Sequence, residues 1–574
     1  MATPAAPQAS AFRLTILHNN DGLSQLVDLG RGLTDFGGVA RFAAVVQREK
    51  QAVGSDQSFA GTSGVIMVSS GDNFLAGAEF TAGLRAGTLY DAVALDLIGY
   101  DAIALGNHDF DFGPELLADF IRQVSTSQAP FLSSNLDFSD EPMLRDLVSE
   151  GRIAESVVVK VSGESIGIIG ATTPDLGFIS SPRKVKIIED VVGQVQSEVD
   201  RLEASEVNKI VLISHLQDID ADIALLSQVH GVDIVVAGGG DELLANEGDL
   251  LISVEDTPLG PYPIMAKDLA GNSVPVVTAV GQYSYLGKLV VTFDADGRVN
   301  EIDDSASGPI RIARADDGVA VHPQVQRDVV DRLLKGLEGL ARPIADSQVA
   351  LDGRRSEVRS RATNQGNLMT DALFWQARRL APDYGVALPD VAIQNGGGIR
   401  NDSLLPPGQI RELDTFDMAP FASIVTVVDR VSRSQFKEIL ENAVSQSADG
   451  DSGRFPQVSQ FSFEWSESGV AQALSSGGSV MVSGARVQSA TLDGGEVIIR
   501  EGSVVPGLDL TVATLDFLAR GGDEYPFRGA PFTTLGVTYQ QALVNYIQSP
   551  AGLGGTATAA DYPIGGEGRI KRLP

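Results

Sequence analysis

Carboxylates, an amide and imidazoles follow the apolar runs in the first half of this sequence. Asp21 closes the segment LTILHNND and Asp72 lies in VSSGDNF. Asn107, His108 and Asp111 lie in LGNHDFD, His215 ends LISH, and Asp241 and Glu242 end VAGGGDE. Taken singly, Asp21 reads as a turn or helix cap, and Gly71-Asp72 is equally ordinary. Gly106-Asn107-His108-Asp109 is more specific, because adjacent Asn and His after a buried strand rarely serve packing. The order of all five carries the signal. Carboxylates, an amide and imidazoles are donors for divalent cations. Several carboxylates cannot share a small volume as anions without positive charge between them. If these segments meet, a polynuclear metal centre is the natural resolution.

The elements that must position these residues are legible as short apolar runs alternating with amphipathic stretches. Strands are expected at Phe12–Leu17, Val65–Ser69, Ala102–Leu105, Ser165–Ala171, Lys209–Ser214 and Asp233–Ala237, each nearly continuous in apolarity, as strands covered on both faces should be. Helices are expected at Val39–Lys50, Pro114–Val124 and Val191–Leu202, with Pro114 suited to a first turn. The pattern predicts an α/β layered domain closing at Leu289–Phe293 and the turn Asp294–Gly297. Ligands of open α/β sheets bind just outside the carboxyl ends of strands, where the donors fall. Asp303–Val319 is polar, and Gln324–Leu340 reads as one amphipathic helix with Val329, Leu333, Leu334, Leu337 and Leu340 on its apolar stripe. A second α/β pattern begins near Ile344, with helices Gly366–Leu380, Ser434–Ser445 and Thr538–Gln548 and strand Val391–Gln394; Gly552–Gly568 reads as a loop.

The chain has 574 residues, 43% hydrophobic and 21% charged, an ordinary globular composition with room for two to four domains. No apolar run approaches the ~18 residues of a membrane-spanning helix. With 43 Lys and Arg against 75 Asp and Glu the formal charge is −32, which disfavours nucleic-acid backbones and anionic membranes as partners. An anionic small ligand would need a metal or clustered Arg. There is no Cys, so disulfides, thiolate metal sites and Cys nucleophiles are excluded. Met1 to Ala11 has neither a basic nor an apolar stretch and is not an intact signal peptide.

The five segments resemble the calcineurin-like metallophosphoesterase domain of the 5′-nucleotidase family, whose pattern is Asp-x-His, Gly-Asp, Gly-Asn-His-(Asp/Glu), a His after a strand, and Gly-His-x-His. The resemblance continues through TNQGNLMTDAL (363–373), QNGGGIR (394–400), APF (419–421), GRFPQVS (453–459) and DFLARGGDEYPF (516–527), which look like the family's C-terminal nucleotide-recognition domain. It implies a two-domain α/β protein: a four-layer α/β-sandwich metallophosphoesterase domain over 12–305, a linker with the connector helix over 306–343, and an α/β substrate-binding domain over 344–574. It implies two divalent metal ions, with Asp72 bridging them, Asn107 and His215 on one, Asp21 and Asp241 on the other. His108 would act on the phosphoryl group or leaving oxygen, oriented by Asp111. In the second half, Arg359, Asn395 and Arg400 would take the anionic end of the substrate, Phe421 and Phe517 would sandwich a nucleobase, and Asp523 would take ribose hydroxyls.

The sequence departs from the family pattern at Leu23, Gly239 and Asp241, where the pattern has His, and at Gln460, where it has Gly. Fewer imidazoles favour harder ions, Ca²⁺, Mg²⁺ or Mn²⁺, over Zn²⁺. The implied activity is release of phosphate from 5′-nucleotides and related phosphate esters. Alternatives with the same fold are a broad phosphomonoesterase, a cyclic-nucleotide or nucleotide-sugar hydrolase, or a nucleotide-binding protein that has lost catalysis. The resemblance also implies a periplasmic or extracellular location.

Overall fold

The computed structural model describes residues 11–574 except 31–32, 57–58, 60, 254–255, 314–317, 447–451 and 476–477. All but the last residue of the Met1 to Ala11 stretch, read as not an intact signal peptide, and part of the polar stretch after Asp303 lie outside the described residues. The chain forms two compact units, one holding Met1–Leu75 and Glu79–Gly336, the other Ala76–Ala78 and Leu337–Pro574.

The first unit is built on two sheets. In one, the order is Val299–Ile302, Tyr285–Phe293, Phe12–Asn19, Thr62–Ser69, Ala102–Ala104, Phe131–Leu132, Ile153–Ala154. The last five run parallel, with Asn19 beside Ser69 and Ser69 beside Ile103, so their carboxyl ends lie level. The other sheet runs Ile264–Lys267, Ser273–Val277, Ile234–Val236, Ile210–His215, Glu164–Thr172, Ser156–Val161. The two sheets share one core: Leu14, Ile16, Val68 and Ala104 of the first meet Ile168, Ile213 and Val235 of the second. Burying each of the Leu, Ile and Val side chains stabilises the fold by about 1.5–3 kcal/mol. Gly170 lies where a Cβ would collide with the Leu132 backbone, so a larger residue would force the sheets apart. Helix Val39–Ser55 packs on the first sheet with Tyr90–Ile98 against it, and Val191–Ala204 packs on the second, giving the expected four layers.

Strand Gly308–Arg311 pairs with Tyr285–Phe293, inside the stretch read as the start of the connector. The connector is not one regular helix. It comprises Pro323–Val325, a π-helical stretch Gln326–Val330, and Asp331–Leu340. A π turn adds a residue to the helical repeat and rotates everything after it. Val329, Val330, Leu333 and Leu340 are buried, while Leu334, expected on the apolar stripe, is 41% exposed.

The second unit holds a five-stranded sheet in the order Pro456–Ser459, Val391–Asn395, Leu510–Leu515, Ile424–Val431, Phe532–Thr538. Helices Asn364–Leu380 and Tyr539–Gln548 pack on one another and on this sheet. Their starts are set by Thr363 and Thr538, whose hydroxyls accept from the Gly366 and Gln541 backbone N–H groups. A second sheet runs Ser503–Val504, Val497–Arg500, Val487–Leu492, Phe461–Ser466, Ile570–Leu573. The expected Gly552–Gly568 loop contains a short strand, Thr556–Ala557, paired with Pro343–Ser347.

Candidate functional site

The five donor-bearing segments all leave carboxyl ends of strands, but from both sheets rather than along one edge. Asp21, Asp72 and Asn107 follow strands of the first sheet; His215 ends a strand of the second, and Gly239 follows the next. Backbone hydrogen bonds lock the loops together: Asp21 N–H donates to the Gly71 carbonyl at 3.0 Å, Leu23 N–H to the Asp72 carbonyl at 3.2 Å, and Gln282 N–H to the Asp21 carbonyl at 2.7 Å. Asp21, Leu23 and Asp72 have φ of 51, 49 and 52°. Left-handed backbone in side-chain-bearing residues costs on the order of 1 kcal/mol each and clusters at functional sites. At Gly106 a Cβ would overlap the Asp72 carboxylate, so glycine is required there.

Among the described residues, Asp21, Asp72 and His215 each bring a donor atom within 4.8 Å of the other two, all buried. His215 Nδ1–H donates to the Ser70 carbonyl at 2.7 Å, which turns Nε2 toward Asp72 Oδ2 at 3.2 Å and Asn107 Oδ1 at 3.1 Å. Burial pushes the Asp21 carboxyl up to about 6, against the pull of His215. Burial also works to raise Asp72, but His215 and His108 beside it hold it below the ordinary range. Burial favours neutral rings, yet the anionic field of Asp72 lifts His215 and His108 to about 10. Two buried carboxylates, an imidazole and an amide oxygen converging in a glycine-walled cradle fit a divalent cation, and their field calls for one.

His108 stands beside this cluster. Its backbone N–H donates to Asp72 Oδ1 at 2.8 Å, its Nδ1–H to Asp111 Oδ2 at 2.7 Å, and its Nε2 lies 3.9 Å from Asp72 Oδ2. A third of its side chain is exposed, open to a reactant. Sequence reasoning missed the residues that hold these groups. Ser180 Oγ donates to Asp111 Oδ1 at 2.8 Å. Asn20 Nδ2 donates to Asp21 Oδ2 at 2.7 Å, and Asp109 accepts from Gly106 and Asn73 N–H groups at 2.9 and 3.0 Å. Gln217 Nε2 lies 2.6 Å from Asn107 Oδ1. Its one sequence signal is its place two residues after His215. Asp241 is exposed and outside the converging donors; it lines an open cavity of about 930 Å³ together with Gln217, Gly239, Glu242 and Tyr285.

The second unit gathers its own group. Asn395 Nδ2 donates to Asp523 Oδ2 at 2.6 Å, and Gly396 and Gly397 N–H groups donate to the Phe455 and Gly453 carbonyls, joining NGGGIR to GRFPQVS. Phe517 covers Gly522, beside Asp523. Arg400 lies over the Phe421 ring, 5.0 Å from its centroid, and its Nε–H donates to the Gly397 carbonyl at 2.7 Å. Phe421 and Phe517 are 43% and 45% exposed, unusual for phenylalanine. Tyr539, not expected, ties these loops: its hydroxyl donates to the Gly398 carbonyl at 2.9 Å and accepts from Phe421 N–H at 3.3 Å. Arg359 is buried just after the short helix Arg355–Val358, which packs on Gly396.

The chain is similar to known proteins over most of its length. A family profile of the 5′-nucleotidase C-terminal domain matches residues 343–529. The trifunctional nucleotide phosphoesterase protein YfkN of Bacillus subtilis is 28% identical over 80% of this chain, which spans 29% of that protein's length. The 5′-nucleotidase of Mus musculus is 31% identical over 79% of this chain and 75% of its own. The crystal structure of a 5′-nucleotidase precursor from Thermus thermophilus superposes with a TM-score of 0.62 at 30% identity, over 98% of this chain and 99% of that one.

Proposed function

The chain belongs to the 5′-nucleotidase family, and from that premise we propose that it is a metal-dependent phosphohydrolase releasing phosphate from 5′-nucleotides and related phosphate esters. The observation that carries this reading is the convergence of Asp21, Asp72 and His215 within 4.8 Å, with the His108–Asp111 pair alongside. Asp72, Asn107 and His215 would hold one divalent ion, Asp72 and Asp21 a second. The carboxylate-rich set favours Ca²⁺, Mg²⁺ or Mn²⁺ over Zn²⁺. Ions held there supply Lewis-acid polarisation of a phosphate ester and acidification of a water nucleophile.

The protein's own part is charge placement. Asp111 receives the Nδ1–H of His108, so the protonated ring presents Nε2–H toward the space beside Asp72. From there it stabilises charge building on the phosphoryl oxygens or gives its proton to the leaving oxygen. Residues 12–305 would form the catalytic domain, 306–343 the linker and 344–574 the recognition domain. In the last, Arg359, Asn395 and Arg400 take the anionic end of the substrate, Phe421 and Phe517 stack on the base and Asp523 binds the ribose. Similarity to a protein named a trifunctional nucleotide phosphoesterase favours a second, broader reading, hydrolysis of more than one kind of nucleotide ester. The proposal includes a periplasmic or extracellular location, testable by fractionation.

The test is phosphate release from AMP by the chelator-treated full chain resupplied with each of Mn²⁺, Ca²⁺, Mg²⁺ and Zn²⁺. Turnover with at least one, abolished in His108→Ala, supports the reading. AMP left intact under every metal sinks it.

A further inference from the structure

Gly239 stands where the family pattern has an imidazole, and the space that imidazole would fill is taken. A Cβ on Gly239 would lie 2.9 Å from both Cα and N of Gln217 and 3.0 Å from His215 Nε2, and Gly239 itself has φ of 92°. Gln217 also sits in left-handed backbone, at φ 84°. A bulky residue in that region carries strain on the order of 1 kcal/mol or more, which persists where surrounding structure requires it. Here the strained backbone delivers a primary amide into the donor cluster. Gln217 is half-buried, at the point where that cluster opens into the cavity of about 930 Å³.

The distances describe a chain of donors. Asp72 Oδ2 to His215 Nε2 is 3.2 Å, His215 Nε2 to Asn107 Oδ1 is 3.1 Å, and Asn107 Oδ1 to the Gln217 amide is 2.6 Å. Neighbouring ligands of an octahedral cation with bonds of ~2.1 Å lie about 3.0 Å apart. Asn107 Oδ1 is approached by two nitrogen groups at once, the His215 Nε2 edge and the Gln217 Nε2. A half-turn of the Gln217 amide about Cγ–Cδ brings Oε1 to the position of Nε2. The run of lone pairs then continues unbroken from Asp72 through His215 and Asn107 to Gln217.

We propose that Gln217 Oε1 is a ligand of the cation held by Asp72, Asn107 and His215, replacing the imidazole that position 239 lacks. The proposal rests on the metal-centre reading above and refines it. An amide oxygen is a neutral, hard donor, so the exchange moves the site toward Mn²⁺, Mg²⁺ or Ca²⁺ and away from Zn²⁺. It leaves the exposed Asp241 with no part in holding this cation.

The experiment titrates Mn²⁺ alone into the chelator-stripped full chain by calorimetry, with the Mn²⁺ electron paramagnetic resonance spectrum recorded at saturation. Gln217→Ala is expected to weaken Mn²⁺ binding at least tenfold and change that spectrum, without moving the melting temperature of the stripped protein. Asp241→Asn is expected to bind within twofold of the unmodified chain. Gln217→Glu, of the same shape, is expected to tighten Mn²⁺ at least threefold; it decides the matter should Gln217→Ala fail to fold. Gln217→His is expected to raise the preference for Zn²⁺ over Mn²⁺ at least tenfold. Unchanged affinity and spectrum in Gln217→Ala, or unchanged affinity in Gln217→Glu, overturn the inference. Asp72→Asn separates the two levels. Should it lose Mn²⁺ while the Gln217 variants do not, Gln217 is no ligand and the metal centre stands; should it bind Mn²⁺ as the unmodified chain does, the metal-centre reading falls too.

Discussion

His108 Nδ1 lies 2.7 Å from Asp111 Oδ2, so the carboxylate decides which imidazole nitrogen faces Asp72. Ser180 Oγ, donating to the other Asp111 oxygen at 2.8 Å, fixes the carboxylate in turn. An isosteric amide at position 111 keeps the shape but cannot stabilise the imidazolium. Asp111→Asn is therefore expected to lower kcat for AMP on the order of 10²–10⁴-fold with KM within a fewfold. Ser180→Ala, which leaves both ring and carboxylate in place, is expected to lose less than tenfold. Steady-state kinetics across pH would check both, and equal losses in the two variants would show that the hydrogen-bond order does not matter.

Removing the metal should destabilise as well as inactivate. Asp21, Asp72 and His215 are buried and mutually close, and a cation between them relieves the repulsion of Asp21 and Asp72. A ligand that binds the folded state at 100 times its Kd stabilises by about 2.7 kcal/mol. Chelator treatment is expected to lower the melting transition of the first unit by several degrees, and Mn²⁺ to restore it. In Asp72→Asn, Mn²⁺ should leave the transition where it is. Calorimetry with and without metal reads this directly.

Phe74 anchors the loop that carries Asp72. It is fully buried, stacked on Phe80 at 5.4 Å and packed on Phe120 at 4.6 Å between centroids. Truncation there removes a large apolar surface and leaves a cavity among rings that cannot close in. Phe74→Ala is expected to cost about 3–5 kcal/mol of stability, measured by denaturant unfolding. It should also weaken Mn²⁺ binding, since the φ of 52° at Asp72 depends on the packing around it.

How much of this was legible in the sequence follows from what each residue does. The strands bearing Asp21, Asp72 and His215 are buried on both faces, so their apolar runs are continuous and stand out, whereas their division between two sheets leaves no trace in periodicity. The π stretch Gln326–Val330 is invisible to a 3.6-residue stripe, and Leu334, next to the buried Leu333 in the regular helix that follows, falls off the buried face. Gln460 departs from a family glycine, and its φ of 69° gives the reason glycine suits that position. Gln217 is not legible in the sequence, because an amide in an unusual backbone region has no sequence pattern of its own. Asp241 occupies a ligand position of the motif, yet its side chain is exposed, and a motif does not reveal which way a loop side chain is turned.

Glu79 and Asp91, two of several carboxyls raised by burial in the first unit, contribute to a pH dependence of stability. Burial raises Glu79 to about 8 and Asp91 to about 7, although Leu26 N–H donates to Glu79 at 2.7 Å. Both are protonated when folded at pH values where the unfolded chain has ionised them. Their stabilising contribution is complete below about pH 4, where the unfolded carboxyls are also protonated. It is lost as pH rises through 7 and 8, with a slope of at most about 1.4 kcal/mol per pH unit per group. Stability of the first unit should thus fall between about pH 4.5 and 8. Glu79→Gln, neutral throughout, should flatten that fall, which denaturant melts across the range would show.

The exposed faces of Phe421 and Phe517 predict a split between substrates. Arg400 stacks on the Phe421 ring, 5.0 Å from its centroid, and Phe517 is braced on Gly522, so both rings are held in place while 43% and 45% exposed. Keeping that much aromatic surface in water has a cost that stacking on a nucleobase would recover. Stacking contributes about 1–3 kcal/mol per base, or roughly 5–150-fold in affinity. Phe421→Ala and Phe517→Ala are each expected to raise KM for AMP within that range while kcat holds within a fewfold. A phosphate ester with no aromatic leaving group, such as glycerol phosphate, should be hydrolysed by the variants as by the unmodified chain. Equal losses on both substrates would mean that the rings serve the fold of the second unit rather than base recognition, and unfolding curves of the same variants would show that directly.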